Sequence, residues 1–346
     1  MGLRIIPSQT NIAFTGMRNI AAVISLAAII GSVTAFLVMG LNFGIDFRGG
    51  VTVEVGPAEG QTFTDSDLTI VREAVGGLGL GDVRVQNIGG VAGAPDGIVT
   101  FIEQQPLPEN PAGGETLTED ERTRAAELQQ SAVAAQVQDV LRTTLGEGIS
   151  FRRVDVVGPT VSGELVQAGV AALVVAIGMM LVYIWFRFEW QFSLGAILAL
   201  VHDVVLTIGI FSITQLEFTL SIIAALLTIV GYSMNDTVVV FDRIRENLRK
   251  FKKKPLAEVI DLSINQTLAR TLMTSITTLL ALVSLFVFGG EVLRGFSFAL
   301  IWGVLIGTYS SIFIASPVLL RTGVKRDWSK EGAASSEASA KGHLAP

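Results

Sequence analysis

An aspartate set among Met, Val and Ile in GYSMNDTVVVFDRIREN (231–247) is the residue of this chain whose position asks most for a chemical explanation. A charge inside an apolar span is costly, so an ionisable group there either pairs with a partner or lines a polar path. If a span over 219–240 ends near Phe241, Asp236 lies about 8 Å from that end at 1.5 Å per residue. A further span beginning near Ala269 starts on the same side, which places Arg270 at nearly the same depth. A cross-helix pair of carboxyl and guanidinium is geometrically allowed, and each group is a site candidate. The plainer reading is a structural buried salt bridge, or an Arg270 that snorkels to the headgroups.

In NQTLARTLMTSITT, Thr267, Arg270, Thr271, Thr274 and Thr278 recur at spacings of three and four. The spacing predicts one inward-facing polar stripe, able to line a wet path. The alternative is that the threonines bond only to their own helix backbone. LVHDVV carries His202 and Asp203 near the middle of another apolar segment. Adjacent helical positions point about 100° apart, so at least one of the two faces a partner helix. Histidine changes charge near neutral pH, so the pair is a candidate proton relay, with a packing hydrogen bond as the competing reading. Asp46 and Arg48 in GIDFRGG (44–50), flanked by Gly44, Gly49 and Gly50, read as a hinge or tight turn, or as a merely structural junction.

The elements that must position these groups follow from hydropathy. Half of the 346 residues are apolar and the mean hydropathy is +0.57, the profile of a multi-spanning membrane protein. About 20 apolar residues cross about 30 Å of hydrocarbon. Six segments qualify, at about 19–41, 164–186, 192–213, 219–240, 269–288 and 295–319. The first follows Arg4 and Arg18 and lacks a small-residue cleavage site, so a retained helix is expected.

Arg187 lies between spans two and three, and Arg243, Arg245, Arg249, Lys250, Lys252, Lys253 and Lys254 lie between spans four and five. The loop TQLE has no base. Excess Lys and Arg marks the cytoplasmic side, so both termini are expected there. KFKKK reads as an anchor to anionic membrane lipid. Asp242, Arg243, Arg245 and Glu246 read as an interfacial charge network closing span four. Gly303 and Gly307 predict a close helix approach in span six.

The expected organisation is a cytoplasmic N-terminus (1–18), span one (19–41), an exterior domain (42–162) in the periplasm of a bacterial cell, spans two to six (163–320) and a disordered cytoplasmic tail (321–346). In the exterior part, VTVEV (51–55) alternates as a strand. TDSDLTIVREAV reads as a helix capped by Thr64 and stopped at Gly76-Gly77. VRVQNI (83–88) and IVTFIE (98–103) are strands, and TEDE from Thr118 is a capping box opening a long helix to about Leu145. ISFRRVDVV completes a βαββαβ order, an α+β ferredoxin-like arrangement, with a Pro-rich loop at 105–114.

The net charge of −6 is divided, with acids concentrated in 46–164 and bases in 243–254, and no basic, aromatic-studded face predicts nucleic-acid binding. Cysteine is absent, which removes disulfides. The sequence has no Walker A loop, no G-x-S-x-G elbow and no metal quartet, and its second histidine, His343, stands without a ligand cluster. Neither catalysis nor a cofactor or metal is expected. Any work done must draw on an ion gradient or a partner.

GIDFRGG after span one, HD in span three, GYSMNDTVVVFDRIREN, INQTLARTLMTS and GTYSSIFIASP in span six occur in the order seen in the SecF family of protein-export membrane proteins, which the chain resembles from span one through span six. That family lies in the resistance, nodulation and division superfamily. The resemblance implies a SecD partner completing twelve spans. It also implies use of the proton motive force to help an unfolded preprotein across, after the SecYEG channel and the SecA motor have begun translocation. It implies Asp236 as the proton-pathway acid and Arg270 as its basic partner, with His202 and Asp203 as further matches. Met234 stands where a bulky aliphatic residue is expected. The competing readings are half of a proton-driven small-molecule exporter, which calls for a larger exterior region, and a non-transporting scaffold of the translocon.

Overall fold

In the computed structural model, the structure describes residues 10–81, 83–89, 95–103 and 118–324. The Pro-rich loop expected at 105–114 lies outside them, as does the tail from 325 onward. The chain divides into two compact units, Met1–Leu41 with Leu173–Leu216 and Ala224–Pro346, and Asn42–Ala172 with Glu217–Ile223.

Six helical segments among the described residues are long and apolar enough to cross a membrane. They are α1 (Arg18–Met39), α5 (Pro159–Arg187), α6 (Trp190–Thr214), α7 (Leu220–Lys250), α8 (Leu256–Phe288), and a sixth made of α9 (Gly290–Ser310), a π-helical turn (Ser311–Ala315) and α10 (Ser316–Thr322). Large apolar side chains such as Ile20, Val23, Val174 and Phe186 are exposed on α1 and α5. In water this would be an aggregation liability, whereas lipid solvates it.

Two helices run well past their hydrophobic stretches. Span four is expected to end near Phe241, yet α7 continues to Lys250, and α8 begins at Leu256, thirteen residues before Ala269. The cause is amphipathicity. Phe241, Ile244 and Leu248 on α7 and Val259, Ile260 and Ile264 on α8 recur at helical spacing and are buried in one apolar cluster. Phe188, Phe192 and Phe241 pack there with ring centroids 5.1–5.9 Å apart. A short 3-10 turn at Phe14–Met17 precedes α1, and Asp261 of α8 accepts from the backbone and hydroxyl of Thr15 at 2.8 and 2.7 Å.

Glycines let the helices approach. A Cβ on Gly303 would lie 2.2 Å from Ile229, so α9 packs closely on α7. One on Gly209 of α6 would lie 2.7 Å from the Cα of Ser32 of α1.

The second unit holds α2 (Ile45–Arg48), β1 (Gly50–Gly56), α3 (Asp65–Gly76), β2 (Val83–Gly89), β3 (Pro95–Glu103), α4 (Glu119–Leu145) and β4 (Ser150–Val157). From β1 on, the order is βαββαβ, and the strands form an antiparallel sheet ordered β2-β3-β1-β4. Val51, Val53 and Val55 of the central strand join Ile98 and Ile102 against Val71 and Val75 of α3 and Val137 and Leu141 of α4. Full burial of each such side chain contributes about 1.5–3 kcal/mol.

Both helices start at capping boxes. Thr64 receives the amide of Asp67 at 3.4 Å and returns its own to Asp67 Oδ2 at 2.7 Å. The amide and hydroxyl of Thr118 donate to Glu121 Oε2 at 2.9 and 2.8 Å, and these bonds hold the Glu121 carboxyl below the usual carboxylate range.

Candidate functional site

Asp203 on α6 is the centre of a buried polar cluster. Its Oδ2 accepts from Ser233 Oγ of α7 at 2.5 Å and from Ser310 Oγ of α9 at 2.7 Å. Its Oδ1 lies 2.9 Å from His202 Nδ1. His202, Asp203, Ser233 and Ser310 are each at most 2% exposed. Three helices are thus tied through one carboxyl group, the arrangement by which polar side chains hold helices together where water is absent. The long imidazole arm lets two adjacent residues meet despite their 100° separation, while Asp203 also reaches two other helices.

The cluster extends through the aromatic face of His202, which stacks on Tyr309 with centroids 5.9 Å apart. The Tyr309 hydroxyl lies 2.9 Å from Ser25 Oγ on α1 and donates to the Ala21 carbonyl at 3.1 Å. His202 Nε2 is buried with no hydrogen-bond partner among the described residues. Directly after Ser310 the helix widens into the π turn, where Ser316 donates to the carbonyl of Ser311 five residues back at 2.9 Å. Single π turns of this kind recur at functional sites.

Asp236 lies one helical turn beyond Ser233 on α7. It is 3% exposed, and its Oδ2 has no hydrogen-bond partner among the described residues. Arg270 on α8 is the charged group whose field reaches it, yet the two form no direct ion pair and Arg270 is exposed. A second hydroxyl ladder starts one turn from Asp236: Tyr232 donates to Ser275 Oγ at 3.4 Å, and Ser275 Oγ lies 2.8 Å from Thr308 of α9.

The polar stripe expected on α8 divides. Thr267 and Thr271 are buried, whereas Arg270 and Thr274 are exposed and Thr278 is partly so. The packing face is centred on Ile264, Thr267, Leu268, Thr271 and Ser275, and the stripe straddles its edge. Thr267 and Thr274 bond to carbonyls of their own helix. Ser275, rather than Thr274, carries the hydroxyl row inward.

At the far end of α7, Arg187 Nη2 donates to both oxygens of Asp242 at 2.8 and 2.9 Å, and Arg243 pairs with Glu246 at 2.6 Å. Gln266 Oε1 accepts from Arg243 at 2.7 Å and from Asn247 at 2.8 Å, and Asn247 also donates to Ser263. Arg245 approaches the carbonyl of Arg187 at 3.5 Å. In the other unit, Asp46 Oδ2 accepts the backbone amide of Leu220 at 2.9 Å, and Arg48 lies 3.8 Å from Glu103. Gly49 and Gly50 hold φ of 71° and 136°, backbone that favours glycine, as the chain turns from α2 into β1.

Ser233, Tyr232, Ser275, Thr308, Tyr309 and Ser310 enter the site from the structure alone. Their signal in the sequence is hydroxyl residues clustered in otherwise apolar runs, one turn from an acid or at the same depth.

Residues 136–325 match the model of the family described as protein export membrane protein SecD/SecF, C-terminal, and residues 34–57 match the SecD/SecF GG motif. The chain is 43% identical over 332 residues to the protein translocase subunit SecF of Cereibacter sphaeroides, covering 95% of each. It is 44% identical over 329 residues to that of Rhodobacter capsulatus, covering 95% of this chain and 94% of the relative. A protein translocase subunit SecDF of Brucella abortus is 42% identical over 323 residues, 93% of this chain but 39% of that one. Among solved structures, SecDF from Thermus thermophilus, described as a translocon-associated membrane protein, superposes with a TM-score of 0.69 at 31% identity. The match covers 93% of this chain and 39% of that one. SecDF in a super-membrane-facing form gives 0.61 at 31% identity, covering 98% and 41%. The chain belongs to the SecF family of multi-pass protein-export membrane proteins.

Proposed function

We propose that this chain, an accessory subunit of Sec protein export by its family, uses the proton motive force to help preproteins across the membrane. The carrying observation is Asp236, a carboxyl buried to 3% exposure in a membrane helix, with one oxygen unpartnered among the described residues and Arg270 as the acting charge. An uncompensated buried charge costs several kcal/mol, so gain and loss of a proton there changes what the surrounding helices prefer. In this reading the ionised carboxylate draws Arg270 inward and protonation releases it. α7 and α8 shift between the two positions. His202 and Asp203 belong to the same pathway, with Asp203 holding α6, α7 and α9 in register through Ser233 and Ser310.

The partner in this reading is a SecD chain. Proteins named SecDF, in which this chain matches about two fifths of the length, support that pairing. SecYEG, SecA and the unfolded preprotein follow as further partners, with both termini cytoplasmic and residues 42–162 on the exterior side. The exterior domain pulls or holds the emerging preprotein as α7 moves. The test is gradient-dependent export into sealed inverted vesicles by the assembled complex carrying Asp236→Asn. Loss of the gradient-dependent component with intact assembly is expected; full retention overturns the proposal in favour of a scaffold.

A further inference from the structure

Within the second unit, the segment at residues 42–46 is tied to the start of α7. The amide of Phe218 donates to the carbonyl of Asn42 at 2.7 Å, and the amide of Gly44 returns a bond to the carbonyl of Phe218 at 3.0 Å. These bonds make a short parallel bridge between Phe43 and Phe218. The rings of Phe43, Phe47 and Phe218 close over it with centroids 5.6–6.1 Å apart. The backbone at Gly44 runs close to this pair, since a Cβ there would stand 2.7 Å from Glu217 Oε1 and 3.1 Å from Thr219 Cγ2.

Asp46 completes the contact. The first amides of a helix have no partner within it, and the first residue of α7 is Leu220. Its N–H is taken by Asp46 Oδ2 at 2.9 Å, from 174 residues earlier in the chain. The carboxylate therefore does what a local N-cap side chain does, and its charge faces the positive end of the helix dipole. Four residues later the chain enters β1, whose first residue, Gly50, already pairs with Glu103 and Val157. Along α7, Asp236 follows Leu220 by sixteen residues, about 24 Å at 1.5 Å per residue.

We infer that Asp46 is a positioning residue that clamps the entrance of the exterior domain to the first turn of α7, so that a movement of the helix carrying Asp236 reaches β1 through a rigid joint. The inference rests on the reading of Asp236 as the proton-coupled group; the clamp itself stands on the backbone bridge, the aromatic cluster and the cap. Asp46 acts through α7 and touches no proton path.

The test uses the assembled complex with its partner, comparing Asp46→Ala with Asp46→Asn, which keeps an oxygen able to accept the Leu220 amide. Two quantities are read: amide hydrogen exchange in the peptide spanning Leu220–Ile223, and the gradient-dependent component of export. Asp46→Ala is expected to speed exchange there by about tenfold and to lower gradient-dependent export severalfold, while gradient-independent export stays at the wild-type level. Asp46→Asn restores both. Unchanged exchange in Asp46→Ala overturns the cap, and faster exchange with undiminished gradient-dependent export overturns the coupling.

Asp236→Asn separates the clamp from the proton reading. It removes gradient-dependent export with exchange at Leu220–Ile223 unchanged, and if it spares export, the proton reading fails while the exchange result still decides the cap. Should Asp46→Ala not assemble, a cysteine pair decides, since the chain has no native cysteine. With Phe43→Cys and Phe218→Cys, oxidation is expected to leave gradient-dependent export equal to that of the reduced form. Loss of export on oxidation means the joint must open, and overturns the clamp.

Discussion

Ser233 donates to Asp203 at 2.5 Å from a position one helical turn before Asp236, so the two membrane carboxyl groups are linked through a single turn of α7. Any rotation of α7 that changes the surroundings of Asp236 also pulls on the bond to Asp203. Ser310 shares the same oxygen from α9, so the span-six helix is drawn into that response.

Removing one of these hydroxyls tests the link. Ser233→Ala and Ser310→Ala are each expected to cost about 0.5–2 kcal/mol of stability, the range for hydrogen bonds between membrane helices. Asp203→Ala costs more, because it leaves both buried hydroxyls and His202 Nδ1 without the carboxylate they share. Thermal unfolding of the purified chain in mild detergent measures all three. Because the hydroxyls share one oxygen, the double variant Ser233→Ala with Ser310→Ala departs from additivity.

Packing glycines give a second test. Gly303→Ala drives a methyl into Ile229 and Gly209→Ala drives one into the backbone of Ser32, so each is expected to destabilise by about 1–3 kcal/mol. On α1, a methyl at Gly31 would meet no neighbour within 4 Å, and Gly31→Ala is expected to be neutral or stabilising by up to about 1 kcal/mol. The same unfolding measurement ranks them.

The capping box of α4 predicts a pH dependence in the second unit. The Glu121 carboxyl is held below its ordinary value by the amide and hydroxyl of Thr118. Its stabilisation is therefore fully present above the pKa of the unfolded chain and is lost as pH falls through the lower folded value. Amide exchange at Thr118 and in the first turn of α4, corrected for intrinsic rates, should rise with acid. Glu121→Gln, which cannot titrate, should flatten that dependence.

Orientation is tested by labelling, again helped by the absence of native cysteine. Lys253→Cys is expected to react with an impermeant maleimide only when the cytoplasmic side is open to it, and Asp139→Cys only from the exterior. The reverse pattern contradicts the topology.

The elements that local chemistry determines were legible. Thr64 and Thr118 announce their helices through side chains three residues away, and the alternation in VTVEV marks a strand by the same short-range logic. Hydropathy located six spans but not the lengths of α7 and α8. Their charged ends stay helical because Ile244, Leu248, Val259 and Ile260 bury one face while Arg243 and Arg249 stay on the other, a pattern that a window average conceals.

Asp203 and His202 were visible as costly groups, but Ser233 and Ser310 were not, since a serine in a membrane helix can equally bond its own backbone. Which one crosses to a carboxylate depends on helix packing. The division of the α8 stripe has the same origin. Spacing puts Thr267, Arg270, Thr271 and Thr274 within one arc, and only the contacts with neighbouring helices decide where the buried face ends.

The most direct test of proton coupling at Asp236 is proton flux itself. Proteoliposomes holding the chain with its SecD partner are given an imposed pH gradient, and its dissipation is followed with an internal pH-sensitive dye. Wild type is expected to dissipate the gradient markedly faster than Asp236→Asn, with Asp236→Glu retaining part of the flux. Equal rates for wild type and Asp236→Asn, in complexes of equal assembly, would contradict the account.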